Sequence, residues 1–145
     1  MKLDGKKVLI TGGARRIGGK LSRSMAAQGA TVYIHCHKGI AEAEALLREL
    51  PGSGHKVFTA DFSQPGAAAG LALQCGEVDV LVNNASIYAR TPADLAEEES
   101  RRYFEVNFWR HVPEQRQWWR PPELSVKWRR CRFRRLGAIS PDRGY

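Results

Sequence analysis

Apolar residues arrive in two alternating rhythms over the first hundred positions: short solid runs, and longer stretches with helical spacing. Lys7 to Thr11, centred on Val8-Leu9-Ile10, is a solid run of the kind that forms a strand buried on both faces. From Arg15 to Gln28 the rhythm changes. Ile17, Leu21 and Met25, with Ser24 and Ala27 fitting less strictly, predict the inner face of a helix that Gly29 stops. Thr31-Val32-Tyr33-Ile34-His35 is β-branched and aromatic, a second strand. Ile40 to Leu50, rich in alanine, leucine and glutamate and closed by Pro51-Gly52, predicts a second helix. Lys56 to Ala60 and Val78 to Val82 read as the third and fourth strands. Residues 66 to 74 form a short helix weakened by its glycines, and Glu97 to Phe108 a helix after the Thr91-Pro92 turn.

Regular alternation of strand and helix predicts right-handed βαβ units and an α/β fold with a parallel sheet covered on both faces. The expected strand order is 3-2-1-4, the first half of a doubly wound, Rossmann-like sheet, with its ligand crevice between strands one and four.

Where the first strand ends, the sequence becomes Thr11-Gly12-Gly13-Ala14-Arg15-Arg16-Ile17-Gly18. A buried strand that breaks into glycines and opens a helix makes a phosphate cradle. First-turn amides and the positive end of the helix dipole both favour an anion there. Arg15 and Arg16 put positive charge at that same helix start, against the dipole, where their guanidinium groups can reach phosphate oxygens. The fourth strand ends in Asn83-Asn84-Ala85-Ser86. With the glycine turn, this makes the chain resemble the short-chain dehydrogenase/reductase family. Thr11, Gly12 and Gly18 match that family's T-G-x-x-x-G-x-G turn, with Arg16 in place of the middle glycine, and Asn83, Asn84 and Ala85 match its N-N-A-G, with Ser86 last. The arginine in the turn, the serine after Asn-Asn-Ala, and His35-Cys36-His37-Lys38 after the second strand all resemble the pteridine reductase branch. The resemblance covers roughly residues 5 to 109.

It implies an oxidoreductase that moves a hydride between NADP(H) and a cyclic imine or carbonyl of a small-molecule substrate. Cofactor contacts are expected from Thr11, Gly12, Gly13, Arg15, Arg16, Ile17 and Gly18 in the turn. Further contacts are expected from Asn83, Asn84, Ala85 and Ser86, with Ser86 and Tyr88 near the nicotinamide. No acid follows the second strand before Glu42, whereas NAD-binding sites place one about twenty residues after the turn for the ribose hydroxyl. His37, Lys38 and Arg15 would attract a 2′-phosphate, so NADP(H) is favoured over NAD(H). His35 itself also fits a core histidine at a strand end. Asp61, beside Phe62 after the third strand, matches the family's adenine-binding acid, or else is a turn-forming aspartate. Asn107 matches the asparagine of the catalytic set, or else is an ordinary residue near a helix end.

Charge changes the picture at the far end. Residues 1 to 108 hold 13 Lys and Arg against 12 Asp and Glu, whereas residues 109 to 145 hold 10 against 3 and supply most of the net charge of +8. All four tryptophans lie in that last stretch, and Pro113, Pro121 and Pro122 interrupt any helix there. The expected organisation is a cofactor-binding half-domain over residues 1 to 109 and a basic Trp/Arg/Pro-rich tail over 110 to 145 that is not native to the fold. Arg, Pro and Trp have GC-rich codons, so a reading-frame change near Trp109 would explain the tail, and the DNA around codons 105 to 115 would test it. The family's Tyr-x-x-x-Lys is absent, since His37, Pro92 and Asn107 stand four residues after Tyr33, Tyr88 and Tyr103. Gly137-Ala138-Ile139-Ser140, followed at once by Pro141, is a faint match to the strand that delivers the family's catalytic serine. Two other readings stay open: a nucleotide-binding module without chemistry, and a nucleic-acid binder using arginines interleaved with Trp118, Trp119, Trp128 and Phe133. No nucleic-acid-binding signature accompanies that tail, which disfavours the last reading.

Three scattered cysteines, Cys36, Cys75 and Cys131, suggest a reducing cytoplasm and no metal site. No apolar run is long enough to span a membrane, so no membrane partner is expected. Family members commonly form homo-oligomers; nothing in these residues assures it.

Overall fold

The computed structural model describes residues 2–87 and 97–107. Eight elements follow one another as β1 (Lys7–Ile10), α1 (Arg16–Ala27), β2 (Thr31–Cys36), α2 (Ile40–Glu49), β3 (Lys56–Thr59), α3 (Ala67–Cys75), β4 (Val80–Val82) and α4 (Glu97–Asn107). The four strands form one sheet in the order β3-β2-β1-β4, with every neighbouring pair parallel. This is the expected α/β architecture and strand order. The tail from residue 110, its boundary at Trp109, Tyr88 and Ser140 lie outside the described residues.

Alternate residues of the strands feed two cores. Val8 and Ile10 of β1 and Val32, Ile34 and Cys36 of β2 pack with Ala26 of α1 and Ala43 and Leu46 of α2. Leu9 and Tyr33 point the other way, onto Phe62, Ala68, Leu71 and Cys75 around α3 and Val106 of α4. Solid apolar runs in β1 and β2 follow from this geometry, because a strand with a core on each face has no solvent side.

Two elements differ from the sequence expectation for physical reasons. Ile17 was expected on the inner face of α1, yet it is 69% exposed, and the buried residues of that helix are Gly18, Gly19, Ser22 and Ala26. Small residues set the phase of α1 because they let its axis approach the sheet, while Leu21 and Met25 are half-buried at the margin of the core. Ser24 and Ala27 are exposed as well. The fourth strand begins at Val80 rather than Val78. Asp79 is diverted to fasten its end: the Lys7 amide and the Lys6 ammonium each donate to its carboxylate at 2.9 Å. Those contacts hold the Asp79 carboxyl below the usual aspartate range.

Candidate functional site

All four strands deliver their carboxyl ends to one side of the sheet, and a crevice of about 310 Å³ opens there. That is the position where open α/β sheets bind ligands. Among its walls are Gly12 and Arg15 from the turn after β1, and His37, Lys38 and Gly39 after β2. Asp61 and Phe62 come from beyond β3, Ala85, Ser86 and Ile87 from beyond β4, and Arg102 and Val106 from α4. Of the residues expected to contact a cofactor, Gly12, Arg15, His37, Lys38, Asp61, Phe62, Ala85 and Ser86 line the crevice. Gly39, Ile87 and Arg102 were missed. Arg102 could have been found, since it lies one helical turn before Val106 on the same face of α4.

The glycine turn is fastened from behind by Thr11 and Asn84. Thr11 is buried, and its hydroxyl accepts hydrogen bonds from the Asn84 and Ala85 amides at 2.9 and 3.0 Å. The Asn84 side-chain amide donates to the carbonyls of Thr11 and Gly12 at 2.9 and 3.1 Å. Both residues therefore hold the ends of β1 and β4 together rather than line the crevice. Asn83 is exposed and does not line it either.

Gly12 and Gly13 contribute less to a phosphate cradle than their place in the sequence suggested. The Gly12 amide donates to Nδ1 of His35 at 3.3 Å, and the Gly13 amide to the His35 carbonyl at 3.0 Å. His35 is 2% exposed, its Nε2 lies 3.1 Å from the Ala60 carbonyl, and its ring stacks on Phe62 with centroids 4.3 Å apart. Accepting at Nδ1 while contacting a carbonyl through Nε2 assigns the Nε2–H tautomer. His35 is thus a core histidine at the strand end, and the crevice floor is built on it. Phosphate donors are left to the first-turn amides of α1, at Arg16, Ile17 and Gly18, which have no intrahelical acceptor by helix geometry. The first turn of α1 carries no acidic residue.

Arg16 stands where the family turn has a glycine, and its φ is 49°, the left-handed region. Such a conformation costs a side-chain-bearing residue about 1–3 kcal/mol. Arg16→Gly is therefore expected to raise stability by about 1 kcal/mol, read as a melting temperature higher by about 4–8 °C. An unchanged or lower melting temperature would contradict the strain.

Charge in the crevice is concentrated at its β2 rim. Nη1 of Arg15 lies 3.2 Å from Glu42 Oε1, and His37 Nε2 lies 3.6 Å from Asp61 Oδ2. The other oxygen of Asp61 accepts from the amide and hydroxyl of Ser63 at 2.9 and 2.8 Å. These bonds hold its carboxyl below the usual aspartate range, the Ser63 amide contributing most. The turn-forming role of Asp61 is thus realised, with one oxygen left toward His37 and the crevice. Burial pushes the Cys36 thiol up, and pushes Cys75 up to about 12, so neither is a thiolate at neutral pH. Among the described residues no cluster of three or more ligating side chains could hold a metal ion, and no helix is long and apolar enough to cross a membrane.

Asn107 does not line the crevice. Its side-chain amide grips the backbone of Ile87 in both directions: Oδ1 accepts from the Ile87 amide at 2.8 Å, and Nδ2 donates to the Ile87 carbonyl at 3.0 Å. It ties α4 to the segment leaving β4, and so positions the Ala85–Ile87 wall.

A family model described as short chain dehydrogenase matches residues 6–113. The chain belongs to that family. It is 35% identical over 113 residues to an uncharacterized oxidoreductase of Methylorubrum extorquens, covering 73% of this chain and 46% of that one. It is 33% identical over 108 residues to pteridine reductase 1 of Leishmania tarentolae, covering 58% of this chain and 37% of the relative. Among solved structures, FolM alternative dihydrofolate reductase 1 from Brucella canis, complexed with NADP, superposes with a TM-score of 0.66 at 31% identity. That match covers 77% of this chain and 48% of the other. The chain therefore spans less than half the length of these short-chain dehydrogenases and reductases.

Proposed function

We propose that this short-chain dehydrogenase chain is the NADP(H)-binding part of a pteridine reductase-like oxidoreductase, with the dinucleotide lying along the crevice. The observation that carries the reading is the set of basic side chains on the β2 rim of the crevice. Arg15, His37 and Lys38 meet there, where a NAD-selective site would carry an acid. Glu42 and Asp61, the nearby carboxylates, are engaged by Arg15 and Ser63. The local fit is favourable in two further respects. Gly12 takes φ 64°, and a Cβ there would lie 3.0 Å from Cα of Ala85, so only glycine keeps that floor open. The start of α1 offers first-turn amides without a carboxylate to oppose a pyrophosphate.

In this reading NADP(H) supplies or accepts the hydride, and the chain's residues bind and orient it. First-turn amides of α1, with Arg16, face the pyrophosphate. Arg15, His37 and Lys38 take the 2′-phosphate, and Asp61 with Phe62 the adenine. Ala85 and Ser86 border the ribose and nicotinamide end, their position fixed by Thr11, Asn84 and Asn107. The relatives with pterin and folate names favour a cyclic imine as the substrate class. Binding without turnover is expected of these 145 residues, because the proton-donating Tyr-x-x-x-Lys is not among them. A shifted reading frame after Trp109 would account for that, and a homo-oligomer in the reducing cytoplasm would be the family's usual setting.

Calorimetric titration of the chain with NADPH and NADH tests the cofactor assignment. One charge-assisted hydrogen bond contributes about 1.5–3 kcal/mol. Because the Arg15 side chain is 58% exposed, solvent screening reduces its share, and a preference for NADPH of roughly tenfold is expected. Arg15→Ala should remove most of that preference while leaving NADH affinity within about twofold. Equal affinities for the two cofactors in the parent chain would sink the NADP(H) reading.

A further inference from the structure

Arg102 lines the crevice from α4, four residues before Val106 and so on the same face of that helix. Val106 is buried in one core cluster with Phe62, and Asn107 grips the backbone of Ile87 from both ends of its amide. The last turn of α4 is therefore fixed, and Arg102 stands one turn out from it, exposed to solvent. Carboxylates are close to it in the sequence. Arg101 takes Glu97 at 2.7 Å, the ordinary pairing of residues four apart on a helix. Glu98 offers Arg102 the same pairing, yet among the described residues Arg102 makes no ion pair and no hydrogen bond. Arg15, by contrast, meets Glu42 at 3.2 Å. Arg102 is thus a crevice guanidinium whose donors are not spent on the protein.

The proposed site gives this arginine no phosphate to hold, since the pyrophosphate is placed at the start of α1 and the 2′-phosphate at the β2 rim. The crevice wall it shares is apolar: Val106, Phe62, Ala85 and Ile87. Such a wall suits the flat face of a base. We infer that Arg102 is a base-contacting residue, whose guanidinium lies over the adenine and extends outward the face that Val106 begins. The inference rests on the proposed dinucleotide site and adds a residue of α4 that reads the base and is indifferent to the number of phosphates. A planar, weakly hydrated guanidinium stacks on an aromatic face where a compact ammonium does not. Even at an exposed site such a contact is worth roughly two- to fivefold in affinity.

The test uses the full chain and three probes, adenosine, 5′-AMP and 2′,5′-ADP, which share the base and differ in their phosphates. Affinities are read by calorimetry and ligand-observed NMR, with thermal melts to confirm that each variant folds. Arg102→Ala should weaken all three probes by about the same factor, roughly fivefold, and so leave the ratio of 2′,5′-ADP to 5′-AMP unchanged. Arg102→Tyr, which restores a flat face without the charge, should return each affinity to within about twofold of the parent. Adenosine bound equally well by the parent and Arg102→Ala overturns the inference, as does a loss that tyrosine does not restore. A loss that grows with each added phosphate also overturns it, because the arginine would then be reading charge. All three of these outcomes leave the NADP(H) reading intact. A parent that binds 5′-AMP no more tightly than inorganic phosphate has no base subsite, and overturns both.

Discussion

Replacing Gly18 with alanine should yield a chain that no longer binds NADPH and melts at least 10 °C below its parent, by the usual scaling for a small domain. A Cβ at this position would overlap the carbonyl oxygen of Gly12 and lie 2.9 Å from its carbonyl carbon and 2.7 Å from Nδ2 of Asn84. None of these atoms is free to move away. The Gly12 carbonyl belongs to the turn itself, and Asn84 Nδ2 is already hydrogen-bonded to the carbonyls of Thr11 and Gly12. Overpacking at a rigid contact costs about 1–3 kcal/mol, and pulling Asn84 off its two carbonyls adds about 1 kcal/mol for each bond lost. Against a total stability of about 5–15 kcal/mol, that is a large fraction. On the proposed placement of the dinucleotide, binding fails for the same reason, because α1 can shift away from Gly12 only by moving its first-turn amides off the pyrophosphate. Gly70 is the control. It lies within α3, a Cβ there would meet nothing within 4 Å, and Gly70→Ala should raise stability by about 0.8–1 kcal/mol through helix propensity. Thermal melting with NADPH titration checks both variants. A Gly18→Ala chain that binds within threefold of its parent would show that the turn is far softer than its contacts indicate.

The sheet was legible because β1 and β2 sit between two cores and advertise it as uninterrupted apolar runs. Their order followed from the alternation with helices. The helix phase was less legible. Ile17, Leu21 and Met25 fit the helical period, but α1 packs through Gly18, Ser22 and Ala26, and closeness carries no hydrophobic signal. Ser22 fits that closeness, its buried hydroxyl reaching the Gly13 carbonyl at 2.9 Å and the Gly18 carbonyl at 3.0 Å. Within the site, the basic residues that line the crevice, Arg15, His37 and Lys38, stand out in the sequence. Residues whose role depends on a partner brought in from another strand were not separable from contact residues. Thr11 and Asn84 bind each other across β1 and β4, Asn107 binds Ile87, and His35 takes the Gly12 amide expected to face phosphate. Gly39 was invisible for a related reason, since the space beside it is taken by the side chain of Arg15, twenty-four positions earlier in the chain.

Hydride transfer is expected to stay below about one turnover per second when the 145-residue chain is given NADPH and a dihydropterin, a quinonoid pterin or a simple carbonyl. Delivering a hydride to an imine or carbonyl leaves a negative charge that must be met by a proton. A positioned general acid contributes about 10²–10⁴-fold to such a step. In the family this chain belongs to, resemblance assigns that task to a tyrosine whose phenol is acidified by a lysine one helical turn on, and no such pair exists here. Tyr33 is buried in the core against Phe58, with ring centroids 5.3 Å apart, and Tyr103 has Asn107 rather than a lysine four residues later. Asn107 cannot substitute, because both ends of its amide are committed to the backbone of Ile87 and an amide is no proton donor at neutral pH. Binding and chemistry should therefore separate: NADPH held with a preference over NADH, and its absorbance unchanged on adding substrate. Faster turnover would mean that another group supplies the proton. Substitution of Tyr103 by phenylalanine, followed by Tyr88 and Tyr145, would then locate it by the rate that falls.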